Sequence, residues 1–275
     1  MLRFISLILA IAFAVEAIPQ GKFHGLQDRI ALYPQKFQKY IGKIDRLPFG
    51  KIIGGQEATP HSWPFIVALN VDDTYFCAGS ILNEEWILTA AHCLDGAVSV
   101  EVTAGAHNQA MSPESTQVRI TSTDLTVNRD YDDVNIISDT GLIRLPEKLD
   151  LSGCCHGVCG SFGQRNRHVR WLGLTEDFGT VSPTLNQVDV PVLDYDECLA
   201  EWDNILDPKQ LCINTEGGKG TCGGDSGGPT MYNNQQVGIT SFGGFLCEIG
   251  LPAGLVSVAQ YKDWICANTE GLDVC

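Results

Sequence analysis

The chain has 275 residues, 44% of them hydrophobic, and a formal net charge of −15. That length buries a full core, in one large domain or two small ones. So acidic a balance argues against nucleic acid or an anionic membrane surface as a partner, and 29 Gly with 12 Pro exclude an all-helical design.

The charge is unevenly spread. Residues 1–17 are neutral, with Arg3 against Glu16; residues 18–51 carry a net of +5 and residues 52–275 a net of −20. The first 17 residues read as a secretory signal peptide. Arg3 supplies the positive start, 4–15 the apolar run, and Val15-Glu16-Ala17 the small residues a signal peptidase needs. The run is too short for a transmembrane span. Residues 18–51 are polar and basic and contain no cysteine, which predicts a detachable activation propeptide. At its end, Lys51-Ile52-Ile53-Gly54-Gly55 invites a trypsin-like cut after Lys51; the plainer alternative is a strand start with a turn.

Beyond that point the chain alternates in short runs. Segments 63–69, 81–88, 98–104, 117–120, 140–145, 188–193, 236–242 and 254–258 are predicted strands, and 258–265 a helix. Many antiparallel strands predict a β-barrel or a pair of barrels. Eleven cysteines point to an oxidising compartment, and the odd count leaves at least one without an intrachain partner. Cys154-Cys155-x3-Cys159 has no second ligand pair to close a tetrahedron, so no metal is expected there. With Arg165, Arg167, His168 and Arg170 nearby, residues 153–171 read as an exposed, disulfide-tethered loop.

Three stretches carry chemistry. In Thr89-Ala90-Ala91-His92-Cys93 a histidine ends an apolar run, and Cys77, 16 residues upstream, is a candidate partner for Cys93. Alone, His92 reads as a satisfied core histidine. Asp139 opens the apolar run 140–145, with Asp132 and Asp133 as nearby competitors. Ser226 sits between two glycine pairs in Cys222-Gly223-Gly224-Asp225-Ser226-Gly227-Gly228-Pro229; glycines permit a sharp turn and a close approach of the backbone to a ligand. Together they form His…Asp…Ser in chain order. A serine hydroxyl needs a base to take its proton, an imidazole titrates in the right range to take and return it, and a carboxylate fixes the imidazole tautomer.

Ile52-Ile53-Gly54-Gly55, the His92 motif, Asp139-Thr140-Gly141-Leu142-Ile143-Arg144-Leu145, the Ser226 motif and Thr240-Ser241-Phe242-Gly243 occur in the order and at the spacing of the chymotrypsin/trypsin-like serine proteases, and the chain resembles that family over roughly residues 52–265. Other segments are most similar to arthropod digestive members, including the crab-collagenase-like group. The resemblance implies an all-β fold of two six-stranded antiparallel β-barrels with a short C-terminal helix, within a protease domain at 52–275. It implies Ser226 as nucleophile, His92 as general base and acid, and Asp139 as its orienting partner. The N–H groups of Gly224 and Ser226 would form the oxyanion hole, and Ser241, Phe242 and Gly243 would pair with substrate, Ser241 also supporting Asp139. Cutting after Lys51 would free the Ile52 ammonium to pair with Asp225, making the chain a zymogen.

By the same resemblance, the disulfides are Cys77–Cys93, Cys198–Cys212 and Cys222–Cys247. Cys154, Cys155, Cys159, Cys266 and Cys275 are left over, with Cys159 or a neighbour a candidate partner for Cys266 or Cys275. Gly220 would lie at the base of the primary pocket, where trypsin-like members carry Asp; Gly243 would leave its wall open and Ala253 add no charge, although crab collagenases carry an acid there. This implies a neutral, roomy pocket for Phe, Tyr, Leu or Met, which Phe245 and Leu246 would narrow in an elastase-like variant. Ala106 stands where calcium-binding members carry Glu, so neither metal nor cofactor is expected, and no usable glycosylation sequon is present. The implied partners are protein substrates, an activating trypsin-like protease and protein protease inhibitors, for a secreted monomer, extracellular in a setting such as a gut lumen. The other classes consistent with the sequence are a non-catalytic homologue acting as a binding or regulatory protein, and a structural secreted scaffold. The first usually loses one of the three residues; the second leaves their order unexplained.

Overall fold

The computed structural model describes residues 55–108, 114–133, 135–152, 168–173, 183–202, 207–216, 219–221, 224–243 and 251–272. Strands β1 (Gln56–Glu57), β2 (Ile66–Val71), β3 (Tyr75–Ile81), β4 (Trp86–Thr89), β5 (Val100–Ala104), β6 (Val118–Ser122), β7 (Asp124–Val127) and β8 (Gly141–Arg144) come first. Seven of them form an antiparallel sheet in the order β6-β5-β2-β3-β4-β8-β7. Only Thr123 separates β6 from β7, so one bent strand pairs with β5 through its first half and with β8 through its second. That closes a six-stranded barrel and removes both sheet edges. Ser122 holds the bend: its hydroxyl donates to the Arg144 carbonyl at 2.5 Å and accepts the Asp124 N–H at 3.1 Å.

The second barrel is built from β9 (His168–Gly173), β10 (Asn186–Leu193), β11 (Gln210–Ile213), β12 (Pro229–Tyr232), β13 (Gln235–Phe242) and β14 (Ala253–Ser257). The order runs β10-β11-β14-β13-β12-β9, and β9 returns to pair with β10, giving another ring of six; β1 adds to the outside of β10. Helix α1 (Tyr195–Glu201), a 3-10 turn (Val258–Tyr261) and helix α2 (Lys262–Asn268) complete the described elements. Among the described residues, no helix is long and apolar enough to cross a membrane.

Local chemistry explains where the predicted elements shift. The segment 81–88 is not one strand but the end of β3, a turn, and the start of β4. Asn83 makes the turn, its side-chain oxygen accepting the N–H groups of Glu85 and Trp86, each at 2.9 Å. Residues 168–171, expected in a loop, belong to β9, whose backbone is held on both sides by β10 and β12. The C-terminal helix is split: 258–261 winds as a 3-10 turn before α2 begins at Lys262. Helix α1 was not predicted, because seven residues with Cys198 alone fully buried carry no readable period.

The larger core cluster fills the first barrel with Val67, Leu69, Ile81, Ile87, Leu88, Val102, Leu142 and Ile143, and continues into Ile239, Val256, Tyr261 and Ile265. The C-terminal segment therefore follows the second barrel in sequence but packs against the first. At about 1.5–3 kcal/mol per buried large side chain, that clamp holds the two barrels as one body and defines the seam between them. A smaller cluster of Val188, Val190, Ile213, Val237, Ala253 and Leu255 fills the second barrel.

Candidate active site

His92 lies in the turn leaving β4, and Cys93 beside it is disulfide-bonded to Cys77 on β3, with the Cα atoms 6.3 Å apart. β4 pairs with β8 so that Thr89 faces Gly141. That register brings Asp139, two residues before β8 begins, under the His92 turn. Gly141 is required by space: a Cβ there would sit 2.9 Å from both the Ala90 carbonyl oxygen and Leu94 Cδ1. Asp139 is fully buried. Its Oδ1 accepts the His92 backbone N–H at 2.8 Å, and its Oδ2 accepts His92 Nδ1–H at 2.8 Å and the Ser241 hydroxyl at 2.5 Å. A carboxylate only accepts, so Nδ1 carries a proton, and in the neutral imidazole Nε2 is then the basic nitrogen.

Ser241 reaches Asp139 because the β13–β14 register shifts between Thr240 and Phe242. A bulge of this kind re-aims one side chain out of the ladder. Ser138, before Asp139, has φ +56°. It accepts the Tyr261 hydroxyl at 3.2 Å, and its carbonyl takes the Thr140 N–H at 2.7 Å. Burial pushes the Tyr261 hydroxyl above its ordinary range, so it remains a donor. Burial, reinforced by the carboxylates of Asp139, Asp95, Asp133 and Asp132, does the same more strongly at Tyr131. Asp132 is occupied locally, accepting the Asn135 N–H at 3.0 Å and its amide at 2.7 Å.

Ser226 sits on the turn between residue 224 and β12. Its carbonyl accepts the Ala78 N–H at 2.8 Å, Gly227 donates to Thr240 at 2.8 Å, and Thr240 donates to Gly228 at 2.9 Å. Gly224 and Gly227 have φ of +91° and +78°, the left-handed region that glycine occupies without strain. A Cβ at Gly227 would also run into Thr89 Oγ1 and the Ala78 carbonyl. The serine turn is thus pressed onto β3 and β4, one residue from the disulfide that tethers His92. Asp225 is fully buried beside it.

Next to this turn, a Cβ on Gly243 would lie 3.7 Å from Thr221 Oγ1 and 3.8 Å from Ala253 Cβ. Gly243, Thr221 and Ala253 therefore face one recess, and none of the three carries a charge. Gly220 precedes Thr221 and is buried against Thr215. The Phe242 ring lies on Gly254 and edge-on to Trp202 at 5.2 Å. Trp202 is fixed in turn by its indole N–H on the Pro252 carbonyl at 3.2 Å.

A family model described as Trypsin matches residues 52–265. The chain belongs to the trypsin family of serine proteases. It is 45% identical over 225 residues to brachyurin from Leptuca pugilator, covering 79% of this chain and 98% of the relative. It is 32% identical to a chymotrypsin from Phaedon cochleariae, covering 88% and 92%. A solved HL collagenase structure superposes with a TM-score of 0.71 at 30% identity, covering 79% of this chain and 98% of the collagenase.

Within this trypsin-family domain, Cys198–Cys212 is also bonded. Cys266 is disulfide-bonded to a partner beyond the described residues. The expectations for residues 1–54, Lys51 and Ile52 among them, and for Cys222, Cys247, Cys154, Cys155, Cys159, Cys275, Phe245 and Leu246, also lie outside those residues. Cys77, His92 and Cys93 are close enough to resemble a metal-ligand set, but the disulfide consumes both thiolates. In the loop carrying Ala106, the Glu114 carboxylate accepts the N–H groups of His107 and Asn108 at 2.8 and 2.9 Å. The His107 N–H above all holds its carboxyl below the ordinary range. Thr221, Thr215, Trp202 and Tyr261 were not singled out in the sequence. Only Thr221 carried a signal, its position next to Gly220.

Proposed function

We propose that this chain is a secreted serine endopeptidase, made as a zymogen and selective for large apolar side chains before the cut bond. The observation that carries the catalytic reading is the fully buried Asp139 carboxylate, which takes the His92 Nδ1–H and so assigns the base role to Nε2, in a turn tied by disulfide to the strand on which Ser226 rests. Ser226 Oγ attacks the substrate carbonyl carbon and its proton passes to His92 Nε2. The N–H groups of Gly224 and Ser226 hold the oxyanion, an arrangement whose loss costs about 2.7–4 kcal/mol per donor in comparable sites. Asp139 stabilises the imidazolium. His92 then protonates the leaving amine, the C–N bond breaks, and an acyl group remains on Ser226. A water molecule repeats the sequence: its proton goes to Nε2, its oxygen bonds the acyl carbon, and Ser226 regains the proton as the acid leaves.

Gly243, Thr221 and Ala253 support the apolar preference, since none of these three described residues carries a charge. Ser241, Phe242 and Gly243 would add the substrate backbone as a strand. Cleavage after Lys51 would release the propeptide and free the Ile52 ammonium for Asp225, which is fully buried beside Ser226. Residues 1–17 would direct export, with a gut lumen as the working setting, an upstream trypsin-like protease as activator and protein inhibitors as regulators. The name of the collagenase relative makes native collagen a substrate worth including.

The test is to express the proform, cut it with trypsin and add a phosphonate that labels reactive serines. Labelling of Ser226 is expected only after the cut; no labelling would leave a binding homologue as the reading. Peptides with Phe, Leu, Ala or Arg before the scissile bond then score the pocket, and preferred cleavage after Arg would contradict the apolar preference.

A further inference from the structure

The backbone at Gly220 does not lie in the left-handed region, so torsion alone does not demand glycine there. Space does. A Cβ at Gly220 would sit 2.7 Å from Thr215 Cγ2 and 3.1 Å from Thr215 Cβ. Thr215 is buried, and its hydroxyl donates to the Leu251 carbonyl at 2.5 Å, which locks its rotamer and keeps the methyl turned toward Gly220. The Lys219 N–H returns to the Thr215 carbonyl at 3.3 Å, folding the chain so that Gly220 lies against the residue beneath it. Leu251 in turn precedes Pro252 and Ala253. One threonine therefore braces both sides of the recess: Gly220 through its methyl, and the approach to Ala253 through its hydroxyl.

We infer that Thr215 is a specificity-determining positioning residue. Its anchored methyl fills the space below Gly220, keeps the pocket floor neutral, and prevents a carboxylate from being installed there by a single substitution. The inference rests on the reading of the chain as an active protease with Gly220 at that floor. Gly220→Asp alone forces its Cβ onto a methyl that cannot rotate away without leaving a buried hydroxyl unpaired. Thr215→Ser removes the methyl and keeps the hydroxyl bond to Leu251, so the remaining contact needs only a shift of a few tenths of an ångström.

The experiment compares activated wild type, Thr215→Ser, Gly220→Asp and the double variant, each normalised by phosphonate titration of Ser226, on matched peptides with Arg, Phe or Trp before the cut. Gly220→Asp alone should leave the Arg:Phe ratio of kcat/KM within about threefold of wild type, and the double variant should raise it at least about tenfold further. Thr215→Ser alone should titrate fully and raise the Trp:Phe ratio about tenfold, because one buried methyl is being read out. A double variant that titrates where Gly220→Asp does not supports the inference. Equal Arg:Phe ratios in Gly220→Asp and the double variant overturn it. If neither Asp variant folds, the Thr215→Ser Trp:Phe ratio decides alone, and an unchanged ratio overturns the inference. A wild type that takes no phosphonate removes the protease reading and this inference with it; a labelled wild type with ratios indifferent to Thr215 removes only the latter.

Discussion

Ser241→Ala tests whether the second barrel sets the chemistry of the first. The Ser241 hydroxyl crosses the seam to Asp139 Oδ2 at 2.5 Å, and the carboxylate it meets is fully buried. A hydrogen bond to a charged group contributes about 1.5–3 kcal/mol. Carried wholly into the barrier, that range corresponds to roughly 10- to 150-fold in rate. Two donors from His92 remain on the carboxylate after the substitution, so the low end, about tenfold, is expected. The loss should appear in kcat, with KM nearly unchanged, because the side chain points away from the strand edge offered to substrate. Hydrolysis of a Phe-peptide chromogenic substrate, with rates divided by titrated active sites, separates kcat from misfolded protein. A Ser241→Ala enzyme with kcat within twofold of wild type would falsify the claim that this bond holds Asp139 in its working position.

Gly227→Ala should unfold the serine turn. A left-handed alanine costs about 1–2 kcal/mol and the Cβ pressed into Thr89 and Ala78 another 1–3 or so; a urea midpoint implying less than about 1 kcal/mol in total would show that the turn relaxes freely. Glu114→Gln probes the loop clamp. The Glu114 carboxyl is held low when folded, so its contribution is present above the unfolded pKa near 4.3 and lost as pH falls through the folded value. The variant should melt roughly 2–4 °C below wild type at pH 7, and the gap should narrow as pH falls below the unfolded value; a constant gap would mean the charge is irrelevant. Lys51→Gln should give a proform that trypsin leaves intact at this position and that stays unlabelled by phosphonate, and labelling at the wild-type rate would show that activation does not run through Lys51.

Much of the candidate site was legible because its chemistry is local. Glycines on either side of Ser226, a cysteine beside His92 and an acid at the start of an apolar run are each short-range signatures, and their joint order identified the family. The choice of acid was less secure. Asp132 and Asp133 compete nearby in the sequence, and the Thr89–Gly141 register together with the Ser241 bulge brings Asp139 to His92. Asp132 spends its carboxylate on Asn135, and Asp133 is exposed. The bent strand closing the first barrel escaped notice because periodicity marks runs, not the fact that two adjacent runs serve opposite edges.

The sequence by itself determined the kind of protein this is: a two-barrel, disulfide-bonded chain of the trypsin family with its three candidate residues in order. Those features depend on residue type and short spacing, which a linear chain displays directly. Only the tertiary structure decided why Gly220 must be glycine, what supports Asp139 from behind, and how the C-terminal segment locks the seam. Thr215 lies 36 residues before the carbonyl that fixes its rotamer, and Tyr261 lies 123 residues beyond the serine it steadies. Contacts that distant leave no local pattern, because their partners are set by the path of the fold and not by the neighbouring residues.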